Sequence, residues 1–206
     1  MKPNDFFTTN NELLKKLFET ENVWEIVKNL PDYLAELFSS GKLKGNHSDN
    51  VYIEEGVKVD PTAKIIGPAY IGKGSEVRFN AYIRENVIVG ENSIIGHATE
   101  IKNSLILDNS VIAHYNHIAD SVIGNNVNIA GGAQVANLRL DQQSVKVDVS
   151  GEKVDTGLKK LGAIIGDNSQ IGANAVLNPG TILGKKSVVY PLIAVLGTHP
   201  ENSTIK

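Results

Sequence analysis

Residues 51–101 read VYIEEGVKVDPTAKIIGPAYIGKGSEVRFNAYIRENVIVGENSIIGHATEI. An aliphatic side chain returns there at every sixth position: Ile53, Val59, Ile65, Ile71, Val77, Ile83, Val89, Ile95 and Ile101. A period of six is neither the 3.6 of an amphipathic helix nor the simple alternation of a hairpin strand. It fits a parallel β-helix with triangular coils, in which each hexad is one short strand plus a turn. Three hexads close a coil of about 18 residues. Coils stacked about 4.8 Å apart satisfy one another's backbone hydrogen bonds, and the aliphatics pile up inside. Small residues often follow the aliphatic, as at Gly72, Gly90 and Gly96, and asparagine recurs at Asn80, Asn86 and Asn92. Both residue types tolerate the left-handed backbone angles that a tight corner needs.

The pattern extends outward from this stretch. After a five-residue step it continues as Ile106, Ile112 and Ile118, then as Ile123, Ile129 and Val135. It stops across residues 138–162, LRLDQQSVKVDVSGEKVDTGLKKLG, and resumes at Ile165, Ile171, Leu177, Leu183 and Val189. The interruption reads as a loop excursion from one corner, functional because Lys159 and Lys160 stand at its return. From residue 190 the chain is expected to leave the repeat at Pro191 and to cap the rod or embrace a neighbour. Residues 1–48 are of another kind, and of 19 glycines only Gly41 and Gly45 precede residue 50. Here Asn10 suits a helix cap, with Leu13, Leu14, Leu17 and Phe18 on one face. A second apolar group joins Val23, Trp24, Ile26, Val27 and Leu30, and Pro31 fits the first turn of a third helix. These pieces are expected to pack on their own chain or on a neighbouring subunit. The reading is therefore a helical segment over 1–48 and a β-helix domain over 49–206.

Composition excludes several function classes. The chain has 206 residues, no cysteine and a net charge of −3. Disulfides, thiolate catalysis and Cys-ligated zinc are out. No basic field is present to hold nucleic acid, and no apolar run approaches the roughly 20 residues of a membrane span. The first residues lack a signal-peptide pattern, so a cytoplasmic location is expected. Gly67–Gly74 nearly matches a phosphate-binding loop but has glycine where a magnesium ligand belongs, and the hexads explain its glycines. Asn46 and Asn202 head glycosylation sequons that are inert without a secretory signal.

Four ordered pieces carry chemistry: AYIREN (81–86), TEIKNS (99–104), IAHYNHIADSVIGNNVNIAGGAQVANL (112–138) and KKLGAIIGD (159–167). Together they resemble the acetyltransferase domain of the bifunctional UDP-N-acetylglucosamine pyrophosphorylase/glucosamine-1-phosphate N-acetyltransferases, over roughly residues 51–190. The resemblance implies a left-handed β-helix, a homotrimer with sites between subunits, and acetyl-CoA as acyl donor. It places the catalytic base at His114 and substrate contacts at Arg84, Lys102, His117, Asn128 and Asn137. Lys160 and Ala173 fall at positions that meet the acyl donor.

The chemistry agrees with those residue types. Acetylation of an amine needs a base that titrates near neutrality, and two cations one coil apart suit a sugar phosphate. Three positions depart from the family pattern: His117 and Leu138 replace tyrosines, and Ala173 replaces a serine. The expected reaction is acetyl-CoA-dependent N-acetylation of a phosphorylated or nucleotide-linked amino sugar, with glucosamine 1-phosphate the first candidate and no metal. Two alternatives stand beside it. One is a non-catalytic partner of a separate sugar nucleotidyltransferase. The other is a γ-carbonic-anhydrase-like hydratase, for which His97, His114 and His117 form an incomplete ligand set.

Overall fold

The computed structural model describes all residues except 10, 42 and 44–46, and for residues 47 and 48 the backbone alone. The proposed cap at Asn10 and the sequon at Asn46 lie outside the described residues. The remainder is mainly β, a left-handed parallel β-helix with helices at its N-terminal end.

The coils present three faces. Among the described residues the first carries nine strands, the outermost being the antiparallel His47–Ser48, the second eight and the third seven. Register follows the hexads: Ile53 lies beside Ile71 and Val89 beside Ile106 on the first face, Ile95 beside Ile112 on the second, and Ile83 beside Ile101 on the third. The inward aliphatics form one continuous core in which Ile71, Ile83, Ile95, Ile101, Ile106 and Ile112 are fully buried. A second ladder accompanies them. Ser93 donates from Oγ to the Leu107 carbonyl at 2.9 Å and accepts the Ser110 N–H at 3.0 Å; Ser110 repeats the pattern with Gly124 and Val127. These buried hydroxyls satisfy corner amides that the strands leave over.

Asparagine and glycine divide the corner work. Asn80, Asn86 and Asn92 have φ of 54°, 61° and 52°, as their residue type predicts. The glycines after the aliphatics do not sit in the left-handed region. They are there because the next coil passes too close: a Cβ on Gly72 would lie 2.7 Å from the Gly90 carbonyl carbon, and one on Gly96 would lie 1.6 Å from the Ala113 oxygen.

Helices α1 (Pro3–Phe6), α2 (Lys15–Phe18) and α3 (Glu25–Ser39) cover the first face. The expected break at Pro31 does not occur, and Pro31 lies inside α3. An interior proline costs about 3 kcal/mol. The stripe of Ile26, Val27, Leu30, Leu34 and Leu37 runs unbroken through it, and each such burial contributes about 1.5–3 kcal/mol, so continuity wins. The stripe shares a buried cluster with Tyr70, Ile88, Leu105, Ile164 and Ile182, the outward side chains of the first face.

Two further segments differ from expectation. The excursion is ordered: Lys146–Val149 and Glu152–Asp155 form an antiparallel hairpin, with an isolated bridge between Leu138 and Lys160 at its base. Val145 and Val147 join the outer cluster, and Thr198 Oγ1 donates to the Asp148 carbonyl at 2.7 Å. The chain also does not leave the repeat at Pro191. Ala194–Val195, Thr198–His199 and Thr204–Ile205 continue all three faces. Pro191 occupies a corner position flanked by the ladder bonds of Tyr190 and Leu192, so its missing N–H interrupts nothing.

Candidate active site

The third face and its two edges hold most of the residues singled out in the sequence. Strand register puts Lys102 directly beside Arg84, one coil on, since Ile101 pairs with Ile83. The next strand places His117 beside Glu100. Two carboxylates bind these groups together. Glu100 receives Arg84 Nη1 at 3.0 Å on one oxygen, and its other oxygen lies 3.4 Å from His117 Nδ1. Glu85 lies 3.0 Å from Lys102 Nζ and 3.7 Å from Arg84 Nε. The Glu100 hydrogen bond holds the Arg84 guanidinium above its ordinary pKa. The Glu85 carboxyl is held below the usual range, first by its own backbone N–H and then, against the opposing effect of burial, by Lys102 and Arg84. The pair of cations expected to receive a phosphate is thus already matched by two carboxylates, and an incoming anion must share or displace them.

Asp120, buried on the edge between the third and first faces, was not singled out in the sequence. It accepts from Asn103 Nδ2 at 2.7 Å and from Asn137 Nδ2 through its other oxygen. Its N–H donates to the Lys102 carbonyl. Asn137 therefore orients a carboxylate with its amide protons. Lys160 stands exposed close by, at the return of the excursion, where the Leu161 N–H donates to the Asn137 carbonyl at 2.9 Å.

His114 is at the opposite edge, on the corner between the second and third faces that turns at Tyr115, three residues before His117. Its ring stacks on His97 with centroids 4.9 Å apart and planes at 26°, and Tyr115 meets both rings edge-on. On the other side stands Gly131, where any Cβ would come within 2.8 Å of the His114 ring. Ala173 occupies the same edge one coil beyond Gly131. Asn128 lies around the corner, exposed on the second face between Val111 and Gln170. One protomer therefore gathers Arg84, Lys102, His117 and Asn137; it sets His114 and Ala173 on the far edge and Asn128 away from both. Among the described residues no group of three His, Cys, Asp or Glu side chains is arranged to hold a metal ion, and no helix is long and apolar enough to cross a membrane.

Two kinds of similarity bear on this arrangement. Residues 65–161 match the family model described as the GMPPB C-terminal domain. The bifunctional sugar-1-phosphate nucleotidylyltransferase/acetyltransferase of Sulfurisphaera tokodaii is 36% identical over 174 residues, 82% of this chain and 43% of that protein. The bifunctional protein GlmU of Methanococcus maripaludis (strain C5) is 39% identical over 170 residues, 81% of this chain and 41% of its own length. The Escherichia coli protein YaiX, named as an uncharacterized acetyltransferase, is 29% identical over 190 residues, 84% of this chain and 81% of that one. The chain thus spans about two fifths of the bifunctional relatives it matches. The hexad core, the ordered pieces around Arg84, Lys102 and His114, and these similarities together show a hexapeptide-repeat β-helix that is similar to part of the GlmU-like bifunctional proteins.

Proposed function

We propose that this protein transfers an acetyl group from acetyl-CoA to the amine of a phosphorylated or nucleotide-linked amino sugar, with glucosamine 1-phosphate the first acceptor to try. The observation that carries the reading is the cluster on the third face. Arg84 and Lys102 stand in register one coil apart and present guanidinium and ammonium donors suited to a phosphate. Glu85 and Glu100 hold these side chains in place before any ligand arrives. Phosphate binding then exchanges one set of anionic partners for another. The acceptor amine must also lose a proton. Two histidines of one strand and its corner are placed for that: His114 at the edge, where the family resemblance puts the base, and His117 on the face.

Support for the donor comes from the family and from the excursion. A recess of about 670 Å³ lies between the hairpin and the last coils, with Leu140 and Leu196 in its wall and Arg139, Lys146 and Lys153 around it. It borders Leu138, the bridge partner of Lys160. An apolar wall with cations at hand suits a long thioester carrier that ends in phosphates. Ala173 and Asn128 cannot act in one protomer together with Arg84. The reading therefore assigns them to sites completed by a second copy in a homotrimer. The helices favour no separate docking role, because the apolar stripe of α3 is already buried against the first face.

The test is spectrophotometric release of free coenzyme A from acetyl-CoA. Glucosamine 1-phosphate and a nucleotide-linked amino sugar would each be offered to wild type and to Arg84→Ala/Lys102→Ala. Acceptor-dependent release that the double variant loses through a raised KM supports the reading. Equal release by both proteins would remove the cluster as the acceptor site.

A further inference from the structure

We infer that Glu85 is a specificity residue: it stands between the two phosphate anchors and favours acceptors whose phosphate carries a single charge, as in a nucleotide-linked amino sugar, over the doubly charged monoester of a sugar 1-phosphate. The inference rests on the reading that Arg84 and Lys102 receive the acceptor phosphate, and it names the acceptor class that such a site prefers.

Of the two carboxylates in the cluster, Glu85 is the one that touches both cations. It lies 3.0 Å from Lys102 Nζ through one oxygen and 3.7 Å from Arg84 Nε through the other. Glu100 meets Arg84 at a different edge, through Nη1, and turns its second oxygen to His117. A phosphate that bridges Arg84 and Lys102 must therefore enter where Glu85 already is. Glu100 can keep both of its partners while that happens.

The fold keeps Glu85 in this place. Arg84, Glu85 and Asn86 make the corner between the third and first faces, and Asn86 turns it with φ of 61°. The next coil locks the turn, since the Asn103 N–H donates to the Glu85 carbonyl at 3.0 Å. The same register sets Lys102 beside Arg84. The carboxylate also accepts its own backbone N–H. A ligand that takes Lys102 thus leaves the Glu85 charge tethered next to it rather than expelled.

Charge then decides between ligands. A phosphate oxygen accepting from Lys102 Nζ at about 2.8 Å comes within about 5 Å of the Glu85 oxygen on the same nitrogen. A phosphate monoester is doubly charged at pH 8, because its second ionisation lies near pH ~6. Each phosphate of a nucleotide-linked sugar is a diester with one charge. The monoester therefore brings one more unit of like charge up to Glu85. Arg84, Lys102 and Glu85 are 26–35% exposed, so water screens this repulsion. At the weak end of the range for such a separation, the extra charge is expected to cost a factor of about 10 in binding. A repulsive group set against one ligand is as effective a source of selectivity as an attractive group set for another. The monoester is still bound, since both cations remain; Glu85 weakens its hold without excluding it.

Calorimetric titration tests this with two ligands that lack an amine and so bind without reacting, glucose 1-phosphate and UDP-glucose, at pH 8. Each would be titrated into wild type, Glu85→Gln and Glu76→Gln, with circular dichroism to confirm that the variants are folded. Glu76 pairs with Arg78 on the second face, so its variant loses the same charge elsewhere on the rod. Glu85→Gln is expected to bind glucose 1-phosphate about 10-fold more tightly and UDP-glucose less than threefold more tightly. Glu76→Gln should move neither by more than twofold. In the coenzyme A release assay, Glu85→Gln should lower the KM for glucosamine 1-phosphate about 10-fold with kcat within threefold of wild type. A gain for glucose 1-phosphate under threefold, an equal gain for both ligands, or an equal gain in Glu76→Gln overturns the inference. Binding of neither ligand by any of the three proteins refutes the anchor reading, and the inference with it. Selective tightening in a protein that releases no coenzyme A with any amino sugar refutes the acetyl transfer and leaves the charge selection at Glu85 standing.

Discussion

Gly96→Ala tests the claim that the hexad glycines serve coil contact. A Cβ at position 96 would sit 1.6 Å from the Ala113 oxygen, 2.4 Å from its carbonyl carbon and 2.9 Å from the Ile112 oxygen. All three are backbone atoms of the next coil, so no side chain can swing aside. Ordinary contact begins at 3.4 Å, so the coils must part locally by well over an ångström. The hydrogen bonds at risk are Gly96 N–H to the Ile112 carbonyl, 2.7 Å, and Thr99 Oγ1 to the Ala113 carbonyl, 3.1 Å. Overpacking costs about 1–3 kcal/mol, and each weakened hydrogen bond adds about 1 kcal/mol, so a loss of ~3 kcal/mol is expected. For a chain of this size that lowers Tm by about 6–12 °C. Gly131→Ala is the internal control, because the obstructing atoms there belong to the His114 ring, which can move. It should cost less than ~1 kcal/mol. Thermal melts followed by circular dichroism read both. A Gly96→Ala protein within 2 °C of wild type, or a Gly131→Ala protein equally destabilised, would refute the reasoning.

Other expectations follow from the same structure. Leu30→Ala removes a side chain with 0% exposure from the α3 stripe and should cost about 2–5 kcal/mol in chemical denaturation; a cost under 1 kcal/mol would mean that the helix is not held by the first face. Ser93→Ala strands the Ser110 N–H inside the rod and should cost about 1–3 kcal/mol, whereas Ser203→Ala, whose hydroxyl bonds at the exposed C-terminal end, should be nearly silent. Arg84→Ala should raise the acceptor KM by about 10-fold or more with donor KM unchanged, since hydrogen bonds to charged groups carry about 1.5–3 kcal/mol. Glu85 is held below its ordinary value of 4.5, so its stabilising contribution is present above that pH and fades as the pH falls through the lowered folded value. The Tm gap between wild type and Glu85→Gln should therefore narrow from pH 6 to pH 3, and parallel curves would contradict the pairing with Lys102.

Much of this molecule is legible in its hexads, and the limits of that reading have physical causes. The inward aliphatics predict which residues stack, because backbone pairing between coils leaves no freedom in register once the period is six. The covered face was also written in the sequence. Every third hexad carries a second apolar residue before the inward one: Tyr52, Tyr70, Ile88, Leu105, Val122, Ile164 and Ile182. Period six alone hides this, since it appears only at the coil period. The hairpin was missed for a similar reason. The alternation of Val145, Val147 and Val149 is a strand signal, but it stands in a segment whose other feature is the loss of the hexad. Proline misled twice. Pro31 and Pro191 look like boundaries locally, yet one lies within a continuous apolar stripe and the other at a corner that needs no donor.

At the candidate site, Arg84 and Lys102 could be placed side by side from their spacing. Glu85 and Glu100 could not be ranked above other surface acids, because what distinguishes them is which edge they reach. Asp120 gave a weak signal within the run ADSVIG, but its two asparagine partners lie 17 residues away in opposite directions. His117 looked like a departure from the family tyrosine, and only the register with Glu100 gives it a partner.

The central claim is acyl transfer to an amine, and its most direct test is the product. Wild-type protein incubated with acetyl-CoA and glucosamine 1-phosphate should yield free coenzyme A and an equimolar sugar phosphate heavier by one acetyl group, with fragmentation placing the acetyl on nitrogen. An unchanged sugar would contradict the account if coenzyme A release stayed at the acceptor-free background with this acceptor and with nucleotide-linked amino sugars.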